Sequence, residues 1–326
     1  MNAQPPAGRA PGEGHAEAPS WPNQAGPPPL GGSADVIVGR GANQPRWTPY
    51  LLSAPSLALF GLMVLLPMAL TLLLSFQQYD VEVGVKGGYT LAAYAHVLSD
   101  SYYYEIFLRT GWVAALTTLI CVLVGAPEAY ILSRMGRPWR SIFLLVILAP
   151  LLVSVVVRAF GWSLLLGPNG LVNQLFELFG IGRVRMLYTP AAVVVALVHV
   201  MLPFMVIPVW TSLQKLDPMV ENAALSLNAS RWTVMRRIVL PQITPGLLSG
   251  SLIVFGLSAS ALAIPGLLGG RRLKMVATLI YDEYLHELNW PLGAAIALAL
   301  LVINLAVMMS YNAVLEGRYA RRMGRG

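Results

Sequence analysis

Residues able to make or break bonds are scarce in this 326-residue chain. His286-Glu287 could open a zinc-protease motif, in which two histidines four apart hold the metal and the glutamate acts as base. Leu288-Asn289-Trp290 follows, so the second histidine is missing. Cys121 is the single cysteine and lies inside an apolar run, with no disulfide partner and no metal-ligand neighbour. No G-x-x-x-x-G-K-[ST] phosphate loop is present, so this chain is not expected to bind ATP, and no cofactor or metal is expected. What remains is a set of polar residues inside greasy segments, Glu128, Arg158 and His199, and one charged stretch, ENAALSLNASRWTVMRRIVLPQITPGLLSG at 221–250. Ionisable groups in apolar segments are expensive and mark solute paths, relays or packing points.

The elements that must position these residues follow from composition. The chain is 56% hydrophobic and 11% charged, against about 25% charged in a soluble domain. An all-α integral membrane protein is expected. A spanning helix needs roughly 20 mostly apolar residues. Six segments qualify, at 51–76, 110–133, 141–166, 190–213, 243–268 and 291–315. Residues 1–45 hold nine Pro and eight Gly with few large apolar groups. Such a segment cannot bury enough surface to offset its ordering entropy. Residues 1–46 therefore read as a disordered tail, dispensable for the core activity. A domain follows at 47–318, then a basic tail at 319–326.

Six spans place both termini on one side. With the N-terminus inside, 12 Lys and Arg flank the spans on the cytoplasmic side and 7 on the other. This bias favours an N-in, C-in arrangement. It also accounts for much of the +7 net charge without a nucleic-acid partner. The charged stretch is then cytoplasmic, and Asp80, Glu82, Asp100, Glu105, Glu177, Asp282, Glu283 and Glu287 face outward.

Within the loop at 214–245, Asp217 can cap free backbone N–H groups and Pro218 suits the first helical position. Glu221 sits near the positive end of that helix's dipole. Val220, Ala223, Ala224 and Leu227 share one apolar stripe of mostly small residues. Asn228 can take the left-handed conformation that ends a helix, and Ser230 can cap a second one. That second helix carries Trp232, Met235 and Val239 on one side, and Pro241 and Pro245 stop it and redirect the chain. One reading is a helix resting on lipid headgroups. The small alanines favour a protein partner that comes close.

The residues Glu221-Asn222-Ala223-Ala224, Leu227-Asn228-Ala229-Ser230, Ile238-Val239-Leu240-Pro241 and Pro245-Gly246 resemble the EAA loop of permease subunits in binding-protein-dependent ABC importers. Asn222 stands where Ala is usual and Asn228 where Gly is usual. Outside the loop, PLLVSVVVRAFG at 150–161, Trp162, Gly170-Leu171-Val172-Asn173, Leu202-Pro203-Phe204, Leu267-Leu268-Gly269-Gly270 and Asn289-Trp290-Pro291-Leu292-Gly293-Ala294-Ala295 are similar to the spermidine/putrescine-type subfamily.

The resemblance implies a type I ABC importer (MetI-like) permease fold in the bacterial inner membrane. It implies two cytoplasmic ATPase subunits, a second permease chain that usually differs, and an extracytoplasmic solute-binding protein. It makes Asp217, Glu221, Ala223, Ala224, Leu227, Asn228 and Pro241 the ATPase-coupling residues, with Glu221 meeting basic groups of the ATPase. The expected cargo is a polyamine; an amino-acid conjugate or a phosphonate is an alternative. Membrane lipid surrounds the spans.

Arg158 falls about 17 residues into the third span, roughly 26 Å at 1.5 Å per residue, toward the outer leaflet. It is either a snorkelling arginine or, with Trp162 four residues on, part of a gate or translocation path. Glu128 is read as an interfacial carboxylate reached by Arg134 or Arg137, and His199 as a helix-packing residue. A membrane-embedded enzyme lacks its cluster of acids or histidines. An ion-coupled carrier would show inverted repeats and broken helices carrying ion ligands.

Overall fold

A computed structural model describes residues 48–270 and 273–323. The tail at 1–46, Arg271, Arg272 and residues 324–326 lie outside the described residues. The chain divides into two units, 1–63 and 64–326. The described part of the first is the start of helix α1 (Thr48–Ser75); the second holds everything that follows.

Six helical stretches among the described residues are long and apolar enough to cross a membrane: Ser53–Ser75, Ser101–Arg134, Val155–Leu178, Pro190–Leu213, Arg231–Ala259 and Trp290–Tyr311. After α1 comes a small antiparallel hairpin, β1 (Gln77–Asp80) and β2 (Gly84–Tyr89), and a short helix α2 (Ala92–Ser99). The second span, α3 (Ser101–Arg134), starts nine residues before the expected 110. Asp100 allows this, because its carboxylate accepts from the Tyr102 N–H at 2.9 Å and caps the helix.

The third span departs from the expected continuous helix at 141–166. The first part of that segment is a separate, shorter apolar helix α4 (Trp139–Leu152); after extended backbone at Val153 and Ser154, α5 (Val155–Leu166) opens the stretch Val155–Leu178 that is long enough to cross. Pro150 lacks an N–H, and three β-branched valines follow the break, which lowers the helix preference there. A turn leads to α6 (Leu171–Leu178). The fourth span, α7 (Pro190–Leu213), has the bounds expected from sequence, with Thr189 capping the Ala192 N–H at 3.3 Å.

Past α7 lies the loop helix α8 (Pro218–Ser226), then α9 (Arg231–Val234), a π turn (Met235–Val239) and α10 (Leu240–Ala259). Here a second expectation fails: Pro241 and Pro245 neither stop a helix nor redirect the chain. The helix runs from Arg231 to Ala259, with Pro241 in the first turn of α10 and Pro245 inside it. The π turn absorbs the prolines, because its wider i→i+5 spacing tolerates a missing N–H and relieves the ring's clash with the carbonyl four residues back. The extra residue also rotates the register. Val234 and Val239, five apart, are both buried, while Trp232 is 74% exposed, so Trp232, Met235 and Val239 do not share a face.

The fifth span ends at Ala259, short of the expected 268. The Ser260 hydroxyl bonds the Gly256 carbonyl at 2.8 Å, a back-bond that competes with helix continuation. A second π turn (Pro265–Gly269), α11 (Val276–Leu285) and α12 (Trp290–Met323) complete the chain; α12 runs into the segment expected as a basic tail.

The core is α7 packed between α3 and α10. Glycines permit the approach. A Cβ on Gly125 would stand 2.9 Å from Met205, one on Gly250 2.9 Å from the Met205 sulfur, and one on Gly246 2.5 Å from the Pro208 carbonyl oxygen. Outward-facing Leu, Val and Phe on α1, α4 and α5 are exposed, as lipid-facing residues must be.

Candidate functional site

The loop between α7 and α10 is built as the sequence requires. The Asp217 carboxylate accepts from the Met219 N–H at 2.9 Å, and Pro218 takes the first helical position. At the other end of α8, Asn228 adopts φ +61°. The Asn228 N–H bonds the Leu225 carbonyl at 2.9 Å and the Ala229 N–H bonds the Ala224 carbonyl at 3.1 Å. These two bonds form a Schellman ending, with asparagine where glycine is commonest. Ser230 then caps α9, its hydroxyl accepting from the Thr233 N–H at 3.2 Å.

The apolar stripe of α8 divides. Ala224 packs against the core, while Val220 and Ala223 are exposed and Leu227 is 85% exposed. Met219 joins the outward side. Glu221 faces the opposite way. It is 7% exposed, and its carboxylate is ion-paired with the Arg134 guanidinium at the end of α3. Arg134 also lies over the Tyr130 ring, 5.2 Å from its centroid. Arg134 had been expected, with Arg137, to serve Glu128. That contact is absent: Glu128 has no ion pair among the described residues, and its Oε2 is buried without a hydrogen bond. Glu128 lies on the stripe of Cys121, Gly125 and Leu132 that α3 turns toward its neighbours.

Arg158 and Trp162 stay on one face of α5, four residues apart. Because α5 is a separate helix, Arg158 sits in its first turn, its N–H bonded to the Ser154 carbonyl at 3.1 Å. A cation there opposes the helix dipole. Arg158 Nε and Nη1 are buried with no hydrogen-bond partner. Trp162 Nε1 donates to His199 Nδ1 of α7 at 3.3 Å, the rings edge-on with centroids 5.7 Å apart. This bond puts the His199 proton on Nε2. The sequence offered no signal for it beyond the two residues' presence in neighbouring spans.

Among the described residues, three of the acids expected to point outward are ion-paired. Asp80 pairs with Lys86 at 2.5 Å, Glu177 with Arg183 at 2.5 Å and Asp282 with Lys274 at 2.6 Å. His286 Nδ1 lies 3.1 Å from Asp282 Oδ1. Burial opposes ionisation of Asp282, but the hydrogen bonds from Lys274 and His286 outweigh it and hold the carboxyl below its ordinary range. The same Asp282 hydrogen bond raises the Lys274 ammonium. The hairpin joins this cluster where the Tyr79 hydroxyl donates to the Glu287 carbonyl at 3.1 Å.

Six helical stretches of membrane-spanning length among the described residues, a tightly packed α3–α7–α10 centre and a short helix displayed between two spans define a multi-pass membrane protein. The chain belongs to the family described as the binding-protein-dependent transport system inner membrane component, which matches residues 118–318. It is 31% identical over 252 residues to the spermidine/putrescine transport system permease protein PotB of Salmonella typhimurium, covering 77% of this chain and 88% of that one. For the Escherichia coli PotB the figures are 30%, 77% and 91%. The molybdenum transport system permease protein ModB of Mycobacterium tuberculosis is 34% identical over 197 residues, 60% of this chain and 73% of that one. Among solved structures, a bacterial ABC transporter involved in importing the acidic polysaccharide alginate shares the fold. Its TM-score is 0.68 at 18% identity, over 82% of this chain and 94% of that one. The expected fold class and inner-membrane location therefore stand.

Proposed function

We propose that this chain is one of two permeases in an ABC importer that brings a polyamine such as spermidine or putrescine into the cell. The observation that carries this reading is the 31% identity to PotB over 77% of the chain. Energy comes from two ATPase subunits on separate chains, and an extracytoplasmic binding protein delivers the solute. The second permease is a different chain. On the orientation set by the arginine bias, α8 is the cytoplasmic coupling helix. Its exposed Met219, Val220, Ala223 and Leu227 enter the ATPase, while Asp217 and Asn228 fix its start and end. Arg158 and Trp162 line the outer part of the translocation path.

A second reading of the cargo, a solute carrying an anionic group, is favoured by one observation. Arg158 keeps two buried nitrogens unpaired, and a polyamine would be repelled by it.

The deciding experiment is ATP hydrolysis by the complex reconstituted with its ATPase, partner permease and binding protein. Spermidine or putrescine should stimulate hydrolysis, and Glu221→Lys should insert normally yet abolish the stimulation. Stimulation only by an anionic solute would replace the polyamine with the second reading. Failure to associate with any ATPase would overturn the importer reading.

A further inference from the structure

We propose that Arg134 is the positioning residue of the coupling helix, its ion pair with Glu221 fastening α8 to α3. This rests on the reading of α8 as the ATPase-docking element. By chain connectivity alone, α8 hangs from α7 through 214–217 and from α9 through 227–230. The Arg134–Glu221 pair adds a third attachment, to a helix that belongs to the packed centre with α7 and α10. A push on α8 then reaches α3 directly, without passing through either loop.

Several features hold the pair in place. Glu221 lies in the first turn of α8, where the helix dipole favours its charge. It is 7% exposed, and a buried carboxylate left without its partner is strongly unfavourable. Arg134 is steadied from its own helix by the Tyr130 ring one turn back. With Glu221 committed inward, α8 offers a partner an apolar surface of Met219, Val220, Ala223 and Leu227. The acid of the loop thus serves this chain's own architecture.

Charge exchange separates the two roles of Glu221. The variants are Arg134→Glu, Glu221→Arg, the double exchange and the conservative Arg134→Lys. The first readout is hydrogen exchange of the α8 amides in the full-length permease in lipid nanodiscs, which needs no ATPase. The second is solute-stimulated ATP hydrolysis per assembled complex, alongside the amount of ATPase that co-purifies. Each single reversal should speed α8 exchange about tenfold and cut stimulated hydrolysis about tenfold. The double exchange should return both to within about threefold of wild type, and Arg134→Lys should keep most of the coupling. A normal Arg134→Glu variant would overturn the proposal. So would a double exchange no better than the worse single, because Glu221 would then answer to a partner's basic group. If wild type binds no ATPase, the coupling reading fails, while α8 exchange still judges the tie by itself.

Discussion

Glu221 and Glu128 both lie near the same end of α3, yet Arg134 serves only the first. Helix geometry explains the choice. Residues 128 and 134 are six apart, which at 100° per residue puts them on different faces of α3. Glu128 is therefore left in the packed stripe, and Arg134 is free to reach across to α8. A different balance governs Lys274 and Asp282, outside the spans. The depressed Asp282 carboxyl contributes stability above its unfolded value of about 4, lost as pH falls through the lower folded value. The raised Lys274 contributes below about 10.4, lost as pH climbs through its higher folded value. Glu283, beside it in α11, has its carboxyl raised by burial and adds an opposite trend of its own, so the Asp282 contribution is read as a difference between two proteins. Amide protection in α11, corrected for intrinsic exchange, should be higher in wild type than in Asp282→Asn above about pH 4, and that margin should shrink as pH falls below it.

Two elements are set by single backbone demands. The end of α8 requires φ +61° at Asn228, and a β-branched residue there costs roughly 1–2 kcal/mol. Asn228→Val should weaken protection of the last turn of α8, while Asn228→Gly should leave it equal or stronger, as hydrogen exchange can read. The crossing of α10 over α7 requires the absence of a side chain at Gly246, where any Cβ would meet the Pro208 carbonyl and Ser212 Oγ at 2.5 Å. Gly246→Leu must push the helices apart, at a cost of about 1–3 kcal/mol. The purified permease should show a lower thermal midpoint, whereas Gly111→Leu, with open space around it, should not.

The sequence holds no phosphate loop, and on the proposed function this chain supplies the transport path and the handle for separate ATPases. Coupling must then pass through contacts between chains. Co-expression with the ATPase and binding protein but without a second, different permease should yield no solute-stimulated hydrolysis. A functional homodimer would count against the heterodimeric arrangement.

Composition and period sufficed for the membrane class, the number of spans and the caps of the loop, because burial in lipid and free backbone N–H groups act locally along the chain. Asp217, Asn228 and Ser230 could be assigned from their own backbone demands for that reason. The break at Val153–Ser154, the π turn before Pro241 and the inward turn of Glu221 were not legible. Each depends on what packs opposite: Arg134 is 87 residues from Glu221, and Met205 and Pro208 meet Gly125, Gly246 and Gly250 only once α3, α7 and α10 are assembled. A residue's type and spacing limit which partners it could take, but the choice between Glu128 and Glu221 for one arginine is made by which helix face reaches which neighbour.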